Sequence, residues 1–262
     1  MLDFNHRTLN ADSISEQINK LVDQALILER CDKPTRKYLG ASRLGMPCSR
    51  ALQYEYIASS NGESQNFDGQ ILRIFEVGHL FEQLAIKWLK SAGFDLVTED
   101  ADGNQFGFKV ADSRIAGHID GVITAAPSKL NLSCPMLWET KSMNSKNWRE
   151  TVKKGVVLSK PIYAAQIALY QAYMEESITG ISKNPCLFTA INKDTAEIYT
   201  ELIPFDSELA QRMSDKAVNI IKATEANETL PRAFSNPDVL GCKTCGYRSE
   251  CWNIPEEEIL YE

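Results

Sequence analysis

The sequence predicts an α/β fold in which a sheet is flanked by amphipathic helices. Two observations carry that expectation. Segments with apolar residues at helical spacing stand before, between and after short runs rich in branched and aromatic residues. Breaks of Gly, Pro, Asn and Ser separate the two kinds of segment, an order that suits layered helices and strands.

The elements follow in order. Residues 12–30 read as an amphipathic helix, with Ser13 and Glu16 forming a capping box, Ile18, Leu21, Val22, Ala25 and Leu28 on one face, and Asp32-Lys33-Pro34 ending it. The glycines and proline of residues 39–50 predict a loop, after which Cys48 opens a helix through Ala51, Leu52 and Tyr56. A thiolate at a helix N-terminus is favoured by the dipole, which suits a metal ligand. Residues 59–67 are a polar connector.

Asp68 then caps a long helix to about Ala92, stopped by Gly93. Gly78 is a costly residue in mid-helix and predicts close approach of another element, with Glu82 one turn further along the same face. A lone helical Glu is also a common surface acid. His79 is rotated away from that face. Strand-like segments follow: Leu96–Glu99 with Gln105–Val110, then Arg114–Thr124, then Met136–Ser142. A helix from Pro161 to about Glu176 carries Gln166 and Tyr170 four apart on one face. Cys186–Ile191 and Glu197–Ile203 form a hairpin around Asn192-Lys193-Asp194, and residues 206–226 form a further amphipathic helix.

Composition limits the function classes. The 262 residues suffice for one large domain, or a domain with a small appendage. No run of eighteen apolar residues is present to span a membrane, and Met1 to Arg7 lack the pattern of a signal peptide, so a cytoplasmic location is expected. A net charge of −7 argues against binding nucleic acid through bulk charge, though a local basic groove remains compatible with it. One candidate groove runs from Lys141 to Lys160, where Lys141, Lys146, Arg149, Lys153, Lys154 and Lys160 face a single acid, Glu150. Trp148 among them offers a stacking face for a base. A solvated charged loop fits the same composition.

The chemistry concentrates between Gly117 and Lys141. The run Gly117-His118-Ile119-Asp120-Gly121 and the run Leu137-Trp138-Glu139-Thr140-Lys141 carry acids where a plain strand would carry aliphatics. Strand alternation puts Glu139 and Lys141 on one face, with Trp138 and Thr140 on the other. Two carboxylates beside an ammonium suit a divalent ion of the Mg²⁺ or Mn²⁺ type and an activated water. An exposed salt-bridged sheet face would show the same letters. His118 shares the face of Asp120 by alternation and is expected in the same cleft or as a hydrogen-bonded structural residue.

Seven cysteines without a secretion signal argue against a disulfide framework. Cys31, Cys134 and Cys186 read as buried small apolar residues. Cys242-x₂-Cys245 has a metal-knuckle spacing, Cys251 adds a third thiol, and Cys48 is the best fourth. Four thiolates fit Zn²⁺ or a [4Fe–4S] cluster, which would staple the N-terminal region to the C-terminus.

Taken together, Gly78-x₃-Glu82, Asp120, Glu139-x-Lys141, Gln166-x₃-Tyr170 and the split cysteines resemble the PD-(D/E)xK nuclease superfamily. Within it the chain is similar to RecB-like exonucleases with an iron–sulfur staple, including the fourth CRISPR-associated family and its phage-encoded relatives. The resemblance covers roughly residues 40–252. It implies a restriction-endonuclease-like core, with a central mixed sheet flanked by helices, at 68–226. Residues 37–67 and 227–262 would form a cysteine-cluster region, and residues 1–36 an N-terminal helical extension.

It further implies that Asp120, Glu139, Glu82 and the carbonyl of Thr140 hold the divalent metals. Lys141 would orient or deprotonate the attacking water, and Gln166 and Tyr170 would hold the DNA strand. Many such nucleases carry a histidine four residues after the helix glycine, whereas this chain has Glu82, the residue type found there in some phage recombination exonucleases; Glu82 would serve as the metal ligand, with His79 or His118 as the alternative. The expected activity is a metal-dependent DNA exonuclease on single strands or duplex ends, 5′→3′ by analogy, with a [4Fe–4S] cluster rather than zinc. Recombination or CRISPR adaptation proteins are the expected partners, and oligomer formation is left open. A structure-specific or sequence-specific endonuclease, or a non-catalytic DNA-binding subunit, are the alternatives.

Overall fold

The computed structural model describes residues 13–31, 33–62, 67–100 and 102–253. The leader reading of residues 1–7, the helix start at residue 12, Asp32, residues 63–66 of the connector and the last nine residues of the cysteine region lie outside the described residues.

Helix α1 (Ile14–Cys31) opens on the capping box: the Glu16 N–H donates to Ser13 Oγ at 3.2 Å and the Ser13 N–H to Glu16 Oε2 at 2.6 Å. None of its residues is buried; its apolar stripe faces outward, with Ile14, Leu21 and Leu28 each about two-thirds or more exposed. Cys31 is exposed as well, contrary to the buried setting expected of it. Strand β1 (Leu39–Gly40) and a 3₁₀ turn at Ala41–Arg43 occupy the stretch expected to be a loop, and Cys48 is the N-cap of α2 (Ser49–Ser60). In α3 (Gly69–Ser91) the Asp68 carboxylate accepts the Ile71 N–H at 2.8 Å, and the helix ends at Ala92, before Gly93. Gly78 departs from expectation: among the described residues, a Cβ there would meet no atom of another element within 4 Å.

The strands β2 (Asp95–Val97), β3 (Gly107–Val110), β4 (Ile115–His118), β5 (Gly121–Ala125), β6 (Met136–Met143), β7 (Cys186–Asn192) and β8 (Ile198–Ile203) form two mixed sheets. The larger has the order β2-β5-β6-β7-β8 and is antiparallel except for the parallel pair β6–β7; the smaller is β1-β4-β3 with β1 parallel to β4. Two expectations are corrected here. Leu96–Glu99 and Gln105–Val110 meet only at the bridge Glu99–Gln105, and their strands belong to different sheets. The run expected as one strand, Arg114–Thr124, is two, because the chain crosses from the small sheet to the large one at Ile119-Asp120.

A parallel pair needs a crossover. It is supplied between β6 and β7 by α4 (Ser145–Lys154), α5 (Val156–Ser159) and α6 (Pro161–Met174), so the expected basic loop is helical. Helix α6 is the most buried of these, burying Ala164 through Gln171 and Met174. Alternation along β6 sorts the core. Leu137 joins Ile167, Leu169, Tyr170 and Phe188 in one cluster, whereas Met136 and Trp138 join Ala85 of α3, Ile123 and Leu96 in another. Asp206 caps α7 (Ser207–Glu225) by accepting the Leu209 N–H at 2.8 Å. The short helices α8 (Leu240–Lys243) and α9 (Arg248–Trp252) carry the C-terminal cysteines.

Candidate active site

The site forms where β5 and β6 part. Gly121 pairs with Trp138, and one residue earlier the ladder stops at the crossing between sheets. There the Asp120 carboxylate takes the place of a backbone partner, with its Oδ2 accepting the Thr140 N–H at 2.8 Å. Ile119 stays with the small sheet, its N–H donating to the Phe106 carbonyl at 2.9 Å. Asp120 therefore stands at the joint, with its carboxylate on β6.

Glu139 and Lys141 share a face of β6, as alternation requires. Glu139 is fully buried, and its Oε1 accepts from Gln166 Nε2 of α6 at 2.7 Å and from the Lys141 ammonium. Its Oε2 is buried with no hydrogen-bond partner among the described residues, and so is the Thr140 hydroxyl. A buried carboxylate oxygen left bare is costly unless something completes it. Burial, reinforced by the Asp120 charge, pushes the Glu139 carboxyl up to about 8, against the pull of Lys141. Burial opposes the charge on Lys141, but Glu139 and Asp120 more than offset it and hold the side chain as an ammonium.

Glu82 of α3 reaches the same field. Burial raises its carboxyl, Asp120 raises it further, and His79 and Lys141 oppose. His79 Nδ1 lies 3.7 Å from Glu82 and is itself largely exposed. Tyr170 is buried on α6; burial and then Glu139 raise its phenol, and the Ser42 hydroxyl bonds to it. Gly117 makes room for that ring: a Cβ there would lie 2.8 Å from both Tyr170 and Phe108. His118 is not in this cleft. It is exposed on β4, and partial burial with the neighbouring Arg36 and Lys109 lowers its imidazole. Alternation failed as a guide because the strand ends between His118 and Asp120.

The structure thus gathers Glu82, Asp120, Glu139, Lys141, Gln166 and Tyr170 around one polar centre. Among the described residues no group of three or more His, Cys, Asp or Glu side chains stands in a ready metal-holding arrangement. The donors nonetheless suit a divalent ion: hard oxygen ligands, one of them buried and uncompleted.

No family model matches the sequence, and no curated protein matches it. Among solved structures, the alkaline exonuclease LHK-Exo of Laribacter hongkongensis covers 78% of this chain and 93% of its own at 15% identity, with a TM-score of 0.49. The structure of LHK-Exo in complex with dAMP covers 79% and 93% at 16% identity, with a TM-score of 0.50. The likeness is one of fold. The chain is a mixed α/β protein folded like that exonuclease.

The four cysteines singled out by spacing come from opposite ends of the chain to one neighbourhood. Burial raises the Cys245 thiol, and Cys48, Cys242 and Cys251 are near enough to raise it further. Arg50 Nη1 lies 3.9 Å from Cys251 Sγ. The thiols belong among the groups that show no ready metal-holding arrangement. Cys134 and Cys186 lie apart, the first half-buried and the second fully buried.

The basic segment is less open than its composition suggests. Lys154 and Lys160 lie within 2.8 and 3.8 Å of Glu150, and Lys141 is committed to Glu139. Lys146, Arg149 and Lys153 remain exposed. Trp148 packs on the core and donates its indole N–H to the Ala190 carbonyl at 3.1 Å, so it anchors α4 to β7 rather than offering a free stacking face. Sequence reasoning missed two site neighbours, Ser42 and Tyr163. The Lys141 ammonium lies 5.6 Å from the centroid of the Tyr163 ring. Tyr163 precedes Gln166 by three residues, a helical spacing that could have marked it.

Proposed function

We propose that the chain is a divalent-metal-dependent DNA exonuclease acting on single strands or duplex ends, with Mg²⁺ or Mn²⁺ at the carboxylate site. The observation that carries this reading is the Glu139 carboxylate, buried, anchored at one oxygen by Gln166 and Lys141 and bare at the other, in the field of Asp120 and Glu82. The fold shared with an exonuclease crystallised with dAMP supports a DNA substrate.

Glu82, Asp120, Glu139 and the Thr140 carbonyl would hold the metal. Bound there, the ion would supply an activated water and neutralise charge on the phosphate. The residues do the rest. Lys141, held as an ammonium by Glu139 and Asp120, orients the attacking water and offsets charge on the phosphate. Gln166 fixes the Glu139 carboxylate, and Tyr170, held by Ser42, walls the site and steadies the DNA strand. Water adds its oxygen to phosphorus and gives up one proton, one P–O bond to the sugar breaks, and the released oxygen takes up one proton, so that the elements of water are divided between the two products.

Cys48, Cys242, Cys245 and Cys251 are assigned to a [4Fe–4S] cluster, with Zn²⁺ as the alternative, supported by their convergence and their spacing. The 5′→3′ direction, a role beside recombination or CRISPR adaptation proteins, and the division into core, cysteine region and N-terminal extension belong to this same reading.

The test is degradation of end-labelled linear single-stranded DNA with Mn²⁺ or Mg²⁺ by the wild type and by Asp120→Ala. Cleavage by the wild type alone is expected, and the labelled end reports direction. Cutting of a closed circle would make the chain an endonuclease, and binding without cleavage by the wild type would make it a binding subunit. A brown preparation is expected from iron–sulfur, and a colourless one would favour zinc or loss of the cluster.

A further inference from the structure

Lys141 and Glu139 pose a problem. The ammonium and a metal ion both need the Glu139 carboxylate, whose Oε1 already carries Gln166 and Lys141. When an ion draws on that carboxylate, Lys141 loses part of its anchor, and a lysine stem has enough rotatable bonds to swing away.

The structure holds a second contact for it. The ammonium also lies over the Tyr163 ring, 5.6 Å from its centroid, within the range in which a ring quadrupole attracts a cation. That ring is braced. It stacks on Phe188 at 6.3 Å and 27°, and Phe188 is fully buried and is the β7 register partner of Glu139. Helix α6 sets the other side, because Tyr163, Gln166 and Tyr170 recur along one helix face. One strand and one helix therefore aim the aromatic face at the ammonium.

We propose that Tyr163 is a positioning residue for Lys141, its ring keeping the ammonium in the site while the Glu139 carboxylate serves the metal. The role given to Lys141 rests on the nuclease reading above. The working part of Tyr163 is its ring, and the phenol hydroxyl is dispensable. The ring acts on the reacting lysine and leaves substrate binding alone.

Two measurements test this. In protein without metal or DNA, the ring current of Tyr163 shifts the Nζ-neighbouring methylene protons of Lys141 upfield by NMR. The shift is expected to persist in Tyr163→Phe and vanish in Tyr163→Leu. Its absence in the wild type would overturn the contact whether or not the chain is a nuclease. In the cleavage assay, Tyr163→Leu is expected to lower kcat about tenfold with KM for DNA unchanged, as for a contact worth one factor of ten in the transition state. Tyr163→Phe restores kcat, and in a Lys141→Ala background Tyr163→Leu adds no further loss. A kcat unchanged in Tyr163→Leu, a loss equal in Tyr163→Phe, or a loss that persists without Lys141 would each overturn the proposal. If the wild type cuts no DNA, the nuclease reading fails, and the NMR shift still decides the contact.

Discussion

At the scale of the residue, Glu139 carries the most information. Burial and the Asp120 charge push its carboxyl up to about 8, against the pull of the Lys141 ammonium, so its charge is disfavoured in metal-free protein. The sign follows directly. Raised above its ordinary 4.5, this group favours the folded state at low pH, and that benefit is lost as pH rises toward 8. A divalent ion and a proton compete for that carboxylate. The rise in melting temperature produced by Mn²⁺ is therefore expected to grow as pH is raised toward 8, and to disappear in Glu139→Gln. A shift independent of pH, or retained in that variant, would place the ion elsewhere. Much of this setting was legible in the residues. Glu139-x-Lys141 declared a shared face because alternation is a local rule, and Gln166-x₃-Tyr170 did the same for a helix. Ser42 was silent, because its importance comes from what packs against it, and Tyr163 was marked only by its three-residue spacing from Gln166. Gly78 misled, since a mid-helix glycine on an open surface looks in sequence like one under close contact.

At the scale of the element, caps and turns were read most faithfully. Ser13 with Glu16 and Asp68 mark helix starts because the capping partner lies three residues away. The end of α6 is set differently. Glu175 accepts the Gly180 N–H at 2.7 Å and the Ser182 N–H at 2.8 Å, and these bonds hold its carboxyl below the ordinary 4.5. A lowered folded value means stabilisation that is present above the unfolded value and lost as pH falls through the lowered one. Glu175→Gln is expected to melt earlier than wild type at neutral pH, with the gap closing as pH falls below about 4.5. Melting curves across that range check it, and a gap independent of pH would assign the loss to packing. The division of Arg114–Thr124 into β4 and β5 was not legible: both halves are apolar, and nothing in the letters says that their partners lie in separate sheets.

At the scale of the molecule, helix α2 and the chain after α7 are joined by polar and ring contacts. Gln53 donates to the Glu228 carbonyl at 2.6 Å and accepts the Leu230 N–H at 2.9 Å; Arg50 donates to the Leu230 carbonyl; and the rings of Tyr54 and Tyr247 lie 5.4 Å apart. Gln53 is buried, so Gln53→Ala strands two backbone groups and is expected to cost about 1–3 kcal/mol in urea unfolding. A change well under that would mean that water reaches the joint. Cys242 and Cys245 were marked by their spacing and Cys48 as the best fourth thiol, whereas this polar clasp, spread over distant single residues, was not legible.

Asp120 answers to two sheets at once. Its neighbour Ile119 belongs to the small sheet, while its carboxylate is moored on Thr140 of the large one. The small sheet also holds β1, whose chain leads within a few residues to Cys48. The gap between the two acids is thus a gauge of how the sheets are seated. A misplacement of about 1 Å can cost a reaction about a hundredfold. Loosening the cysteine end of the molecule would therefore be felt first as a lost alignment of carboxylates, before any loss of fold.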